Sequence, residues 1–388
     1  MNASVETFSE TDELAAAPLR LTIDLGALAA NWRDMAERSG SARTAAVVKA
    51  DAYGVGIEDA GATLYAAGAR DFFVAVPSEG ATLRAHVPDA SIFVLSGLWA
   101  GAEDIFFDND LIPVIASTEQ LAFWLEIVAA RGARPCALHV DTGFNRLGVS
   151  VEEALALADP ATRPAGFMPV LVLSHLACGD DPASPMNPLQ CSLFRTVAEA
   201  FGDVEASLSA SAGIFLGSDY HFGLTRPGIA LYGGAAVNGM VNPMRPVVTA
   251  EARILQVRQA KTGMSVSYGG THLLARDSNL AVASVGYADG YLRSLSGAGI
   301  PLRGTGIAGA SGFLGGHAVP VAGRITMDMT IFDITDLPEG SVAAGDYVEL
   351  FGPNMALDDV ARAAGTIGYE MLTGLGLRYE RRYIETED

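Results

Sequence analysis

The sequence predicts a parallel (β/α)8 barrel followed by a second, mostly-β domain. Three observations lead there. Between residues 44 and 233, short apolar runs recur eight times with helical spacers between them. After Asn242-Pro243-Met244-Arg245-Pro246 the hydrophobic rhythm changes to period two. The chain has 388 residues, 50% of them hydrophobic and 18% charged, which is too long for one ordinary core and apolar enough to bury two.

The eight runs cover 44–49, 71–76, 91–95, 111–115, 136–140, 170–175, 206–211 and about 224–230. Their length, and the β-branching of the first of them, suit buried parallel strands. Amphipathic stretches at 119–130 and 189–201 supply crossover helices. An open doubly wound sheet is the competitor, and the count of eight favours the barrel. In the second domain, 247–257 and 280–285 alternate apolar and polar positions. Ile325, Met327, Met329 and Ile331 do the same around Thr326, Asp328 and Thr330, which predicts a half-buried strand. One helix, 357–372, closes the domain. The expected boundaries are an acidic, flexible leader at 1–19, a barrel at 20–245 and a β domain at 246–388.

The net charge of −20 and pI near 4.6 make nucleic acid or an anionic membrane an unlikely partner. No run reaches the roughly 18–20 apolar residues of a membrane span. Residues 1–17 carry four acids, no base and no apolar core, unlike a signal or transit peptide. Cys136, Cys178 and Cys191 form neither a metal pattern nor an even disulfide set, which fits a reducing, cytoplasmic setting.

Barrel enzymes draw their active residues from the carboxyl ends of several strands. Those ends carry Lys49 and Tyr53 after strand 1, Asp141 to Arg146 after strand 5, His175 after strand 6, Ser211 after strand 7 and Arg226 at strand 8. Lys49 stands out because the chain has two lysines, Lys49 and Lys261, against 23 arginines. A lysine amine forms a Schiff base with an aldehyde, and arginine cannot replace it. Ser211-Ala212-Gly213-Ile214 and Gly228-Ile229 let backbone N–H groups approach an anion where such barrels usually bind phosphate. An amine, a phosphate cradle and two arginines on one rim suggest a phosphorylated aldehyde, pyridoxal 5'-phosphate. No acidic pair stands out at the mouth, which weakens a glycosidase reading. No HxH, HExxH or CxxC pattern is present, which weakens a metal hydrolase.

From about Arg20 to Tyr383 the chain resembles the alanine racemase family. The likeness rests on Val47-Val48-Lys49-Ala50-Asp51-Ala52-Tyr53-Gly54, Asp141-Thr142-Gly143-Phe144-Asn145-Arg146-Leu147-Gly148 and Thr225-Arg226-Pro227-Gly228-Ile229-Ala230-Leu231-Tyr232-Gly233. Ser267-Tyr268-Gly269, Gly286-Tyr287-Ala288-Asp289-Gly290-Tyr291, Gly323-Arg324-Ile325-Thr326-Met327-Asp328-Met329 and Tyr369-Glu370-Met371-Leu372-Thr373-Gly374-Leu375 follow in the family's order.

The resemblance implies interconversion of L- and D-alanine, supplying D-alanine for peptidoglycan, in a head-to-tail homodimer with shared active sites. Lys49 would hold the cofactor and serve as one acid/base group, and Tyr268 from the second subunit would be the other. Arg226 would donate to the pyridine nitrogen. His175 would pack at the ring and link Arg226 to Tyr268. Tyr53, Ser211, Gly228, Ile229 and Tyr369 would bind phosphate. Arg146 would touch the ring hydroxyl and the substrate carboxylate, with the Met327 amide opposite, and Tyr287 and Asp328 would shape the entrance from the partner chain. Two bases flanking one carbon is what racemisation requires, each with its pKa brought down from ~10.

The chain departs from the family pattern at four places. Ala210 stands where asparagine is common, Val55 where histidine is frequent, and Thr326 where some members have cysteine. His139 stands where many members carry a carbamylated lysine that orients the Arg146 equivalent. Either His139 or another neighbour then holds Arg146, the alternative for His139 being a satisfied interior histidine. A single-barrel cofactor carrier is disfavoured by residues 246–388. A basic-amino-acid decarboxylase is disfavoured by Arg226 and by the lack of any cysteine beyond Cys191. A racemase of broader substrate range stays open.

Overall fold

The computed structural model describes residues 16–298 and 309–386. The expected leader thus falls mostly outside the described residues. The chain forms two compact units: Leu25–Arg245, and the residues up to Asp24 together with those from Pro246 onward.

Strand β1 (Leu19–Asp24) belongs to the second unit, which corrects the barrel boundary expected at residue 20. Leu19, Leu21 and Ile23 are buried, while Arg20, Thr22 and Asp24 are partly exposed. That alternation marks a strand of a one-sided sheet rather than of a barrel.

In the barrel unit, β2 (Arg43–Thr44) and β3 (Ala46–Val47) form one interrupted strand. The others are β4 (Asp71–Val74), β5 (Ser91–Val94), β6 (Leu111–Ile115), β7 (Cys136–His139), β8 (Pro169–Leu173), β9 (Glu205–Ser207) and β10 (Leu224–Thr225). Strands β3 to β9 pair in parallel in sequence order. The eighth strand closes the ring. Gly223 and Arg226 donate backbone N–H groups to the Ala206 and Ser209 carbonyls, while Ala45 and Val47 donate to those of Thr225 and Pro227. Arg43 bridges Asp71 (2.6 Å) and Glu205 (3.0 Å) at the amino-terminal end. Crossover helices are capped as their sequences dictate. Ser117 Oγ accepts from the Gln120 N–H, and Ser150 and Glu153 form a reciprocal capping box.

Most of the strands end earlier than their apolar runs. The first run was expected to continue through Lys49, yet β3 stops at Val47. Residues Ala50 to Tyr53 then follow a left-handed turn with φ between 52° and 58°. The last run leaves the ladder at Arg226 and enters a single turn, Ile229–Tyr232. In both places the backbone leaves the sheet where candidate functional side chains begin.

The β unit is an eight-stranded sheet. Its long central strand, β11 (Val248–Ala260), pairs with β1, β14 (Ser278–Ala283) and β18 (Tyr347–Phe351). Strand β15 (Ser311–Leu314) pairs with β16 (His317–Pro320) and with β18, and β19 (Tyr379–Ile384) lies parallel to β1. Two short strands, β12 (Ser265–Val266) and β13 (His272–Leu273), pair apart from it. Two expectations fail here. The strand at 325–331 begins only with β17 (Thr330–Asp333), because Thr326 and Met329 close a turn through three hydrogen bonds and turn Met327 and Met329 outward. The closing helix is two, Leu357–Ala364 and Gly368–Thr373, because Gly365 (φ 76°) ends the first in a left-handed cap. Among the described residues no helix is long and apolar enough to cross a membrane.

Candidate active site

The barrel mouth brings together Lys49, Tyr53, His139, Arg146, His175, Ser211, Arg226, Gly228 and Ile229, all within one unit. Lys49 heads the left-handed turn. Burial, then Arg146, lowers its pKa, against a smaller opposing pull from Glu79. At the other end of the turn, Tyr53 is buried and stacks on Tyr232 with centroids 4.5 Å apart. Tyr232 in turn donates to the Val47 carbonyl at 3.0 Å.

Ser211 Oγ accepts from the Gly228 N–H at 2.8 Å and the Ala230 N–H at 3.3 Å. A Cβ on Gly228 would overlap the Tyr53 hydroxyl. The Ser211 and Tyr53 hydroxyls therefore flank a notch at Gly228 that only glycine leaves open, with the Gly228 and Ala230 amides directed at Ser211 Oγ. Such a donor set suits a phosphate. Val55 is fully buried, so the position where the family often has histidine serves packing here.

Arg226 is buried and charged, its pKa lowered by burial to about 10. Its guanidinium donates to Ser207 Oγ and to the Ser174 carbonyl (2.6 Å). Among the described residues no hydrogen bond joins it to His175, and its charge acts there only to lower the His175 pKa. Burial and the neighbouring cations Arg226 and Arg146 hold His139 at about 4 and His175 at about 3. Arg146 lies with its guanidinium 4.2 Å from the Phe144 ring centroid, and Phe144 stands edge-on to His175. Phe144 thus packs against Arg146, which is otherwise exposed. His139 is buried, and among the described residues its Nδ1 finds no hydrogen-bond partner.

Two neutral imidazoles beside permanent cations have a consequence for stability. Both folded-state values lie below the ordinary 6.5, so the unfolded chain binds more protons between about pH 4 and 6.5. Stability should therefore fall as pH drops through that window, by about 2 kcal/mol per histidine at pH 5. Thermal unfolding midpoints across the window check this, and His139→Asn should roughly halve the slope. A flat profile in the parent protein would contradict the assignment.

Sequence reasoning missed two groups in this unit. Glu79 accepts from the Ala50 N–H at 2.7 Å, beside Lys49. Gln190, fully buried, donates to the His175 carbonyl (3.0 Å) and accepts from the Ala177 N–H (2.8 Å), bracing the loop that carries His175. A signal existed for Gln190: it falls on the buried face of helix Met186–Phe201, in phase with Phe194, Val197 and Phe201.

The β unit gathers Tyr268, Tyr287, Met327 and Asp328 around the segment from Gly323 to Met329. Ser267 Oγ donates to the Arg324 carbonyl at 2.6 Å, which places Tyr268 next to that segment. Tyr287 and Ala288 donate backbone N–H groups to the Thr326 and Met327 carbonyls, both at 3.1 Å. A Cβ on Gly286 would collide with those carbonyls. Arg378, also missed, grips buried Asp289 (2.7 Å) and Asp328 (2.8 Å), fixing both loops. Tyr268 is 73% exposed, so its ring is not part of this unit's core. Tyr369 lies on helix Gly368–Thr373 in the same unit, partly exposed.

A parallel barrel with a partly desolvated lysine and an anion notch at its mouth, followed by a β unit presenting exposed tyrosines, defines a two-domain barrel enzyme of the Schiff-base class. The alanine racemase N-terminal domain matches residues 23–236 and the alanine racemase C-terminal domain matches residues 247–383. The chain belongs to the alanine racemase family. It is 70% identical to the biosynthetic alanine racemase of Agrobacterium fabrum over 98% of this chain and 97% of that one. A catabolic alanine racemase of the same organism is 44% identical over 94% of this chain and 92% of its own length. The alanine racemase of Bartonella henselae, solved with covalently bound pyridoxal phosphate, superposes with a TM-score of 0.86 at 37% identity. That match covers 95% of this chain and all of the other.

Proposed function

We propose that the protein interconverts L- and D-alanine with pyridoxal 5'-phosphate, as a cytoplasmic homodimer that supplies D-alanine for peptidoglycan. The observation that carries this reading is the pairing of Lys49, the sole lysine of the barrel unit, with the Tyr53–Ser211–Gly228 notch at the far end of the same short turn. An amine and an anion cradle so joined fit the two ends of a phosphorylated aldehyde. The far greater identity to the biosynthetic than to the catabolic enzyme of one organism supports the biosynthetic role.

When bound, the cofactor supplies an electron sink that acidifies the substrate Cα–H. Lys49 Nζ holds it and carries a proton on one face of that carbon. The partner subunit's Tyr268 serves the opposite face through its phenol oxygen. Tyr53, Ser211, Gly228, Ile229 and Tyr369 bind the phosphate. Arg226 would face the pyridine nitrogen. With its pKa still near 10 it does not readily give up its proton, so it would leave that nitrogen unprotonated. Neutral His175 packs beside it. Arg146 would take the substrate carboxylate with the Met327 amide opposite, and Tyr287 and Asp328 of the partner subunit would narrow the entrance. The exposure of Tyr268, Tyr287, Met327 and Met329 supports a second copy covering this surface.

Incubating protein and cofactor with L-alanine in D2O tests the activity. Loss of optical rotation with deuterium at Cα is expected. Retained rotation without exchange would leave a cofactor carrier, and release of carbon dioxide would indicate a decarboxylase. Gly228→Ala should weaken cofactor retention by about tenfold through overlap with Tyr53, read by fluorescence titration of the cofactor-free protein.

A further inference from the structure

The four residues after Lys49 hold a backbone conformation that L-residues avoid, because it drives Cβ toward the following carbonyl oxygen. Such a turn persists only where its surroundings over-determine it. Within the segment, the Ala52 N–H donates to the Val48 carbonyl (2.9 Å), and the Ile57 N–H donates to Asp51 Oδ1 (2.8 Å). The restraint nearest Lys49 comes from elsewhere in the chain. Glu79 Oε1 accepts the Ala50 N–H at 2.7 Å, and Glu79 Oε2 accepts the Ala75 N–H at 2.8 Å and the Val76 N–H at 3.4 Å. One carboxylate thus ties the turn after β3 to the loop after β4, with charge-assisted bonds at both ends.

We propose that Glu79 is a positioning residue for cofactor capture: by pinning the first amide of the left-handed turn, it sets the reach between the Lys49 amine and the Tyr53 phenol. The inference rests on the reading above, in which those two groups hold the two ends of pyridoxal phosphate. Glu79 does more than a structural cap, because its charge acts on Lys49 against burial and Arg146. A neutral side chain of the same shape therefore loosens the turn and also makes Lys49 easier to deprotonate.

The test uses cofactor-free, full-length protein carrying Lys261→Arg, so that Lys49 is the only amine-bearing side chain left. Capture of pyridoxal phosphate is followed by visible absorbance from neutral to alkaline pH, with borohydride trapping to confirm the site. Glu79→Gln should bind about tenfold more weakly, the size of a lost charged hydrogen bond, and the pH midpoint for capture should move down. Leu83→Ala, which hollows the buried face of the same helix, should lower the unfolding temperature and leave that midpoint unchanged. If Glu79→Gln matches the parent in affinity and midpoint, or if Leu83→Ala reproduces both changes, Glu79 is not a positioning residue. If the parent protein itself captures nothing at Lys49, the cofactor reading fails instead.

Discussion

Lys49→Ala should abolish racemisation, by at least about 10⁴-fold, and leave the cofactor unattached. Two losses combine. The covalent anchor disappears, and so does the proton carrier on one face of the substrate carbon. Nothing nearby substitutes for either. Arg146 and Arg226 are not nucleophiles, and the two histidines of the mouth lack a primary amine. The other lysine, Lys261, is exposed in the β unit and paired with Asp277 at 2.7 Å. Lys49→Arg should fail equally, which separates the need for an amine from the need for a positive charge. Optical rotation and the visible absorbance of the bound cofactor are the measurements. A Lys49→Ala protein that racemises within tenfold of the parent would remove Lys49 from the chemistry.

Tyr268→Phe should lose about 10²- to 10⁴-fold in turnover while retaining the cofactor and the parent absorbance. Only the phenol oxygen is removed, and Tyr268 is too exposed for its ring to hold the fold together. The two-face arrangement adds a sharper expectation. With one proton carrier gone, the remaining lysine still exchanges Cα hydrogen with solvent from its own side. One alanine enantiomer should therefore take up deuterium without inverting, and the other should exchange far more slowly. Proton NMR of each enantiomer in D2O reads this directly. Normal racemisation by Tyr268→Phe, or equal loss of exchange in both enantiomers, would contradict the assignment.

Much of this was legible in the chain. Lys49 is conspicuous as one of two lysines, and the eight apolar runs place it at a barrel mouth. The strand at Leu19–Asp24 was missed, since its alternation falls where the leader was expected to meet the barrel. What the local pattern does not encode is where that strand pairs, since its partners Ala252 and Tyr379 lie at the other end of the chain. The same limit hid Glu79 and Arg378, each of which acts through contacts distant in sequence. The misread segment at 325–331 shows a different limit. Its alternation is real, but a threonine hydroxyl bonding three residues on turns the chain before the ladder starts. Gly365 divided the closing helix by a left-handed cap, a signal present in the sequence and outweighed by the long amphipathic pattern around it.

The proposal that each active site takes its lysine from one subunit and its phenol from the other is tested most directly by mixing two inactive proteins. Lys49→Ala and Tyr268→Phe subunits, each nearly dead alone, are unfolded together, refolded with cofactor and assayed on L-alanine. Random pairing makes half the dimers hybrid, and each hybrid holds one site with both groups intact, so about one quarter of the parent activity should return. If the mixture stays as inactive as its components while the parent protein refolds with activity under the same conditions, the two groups do not meet across subunits.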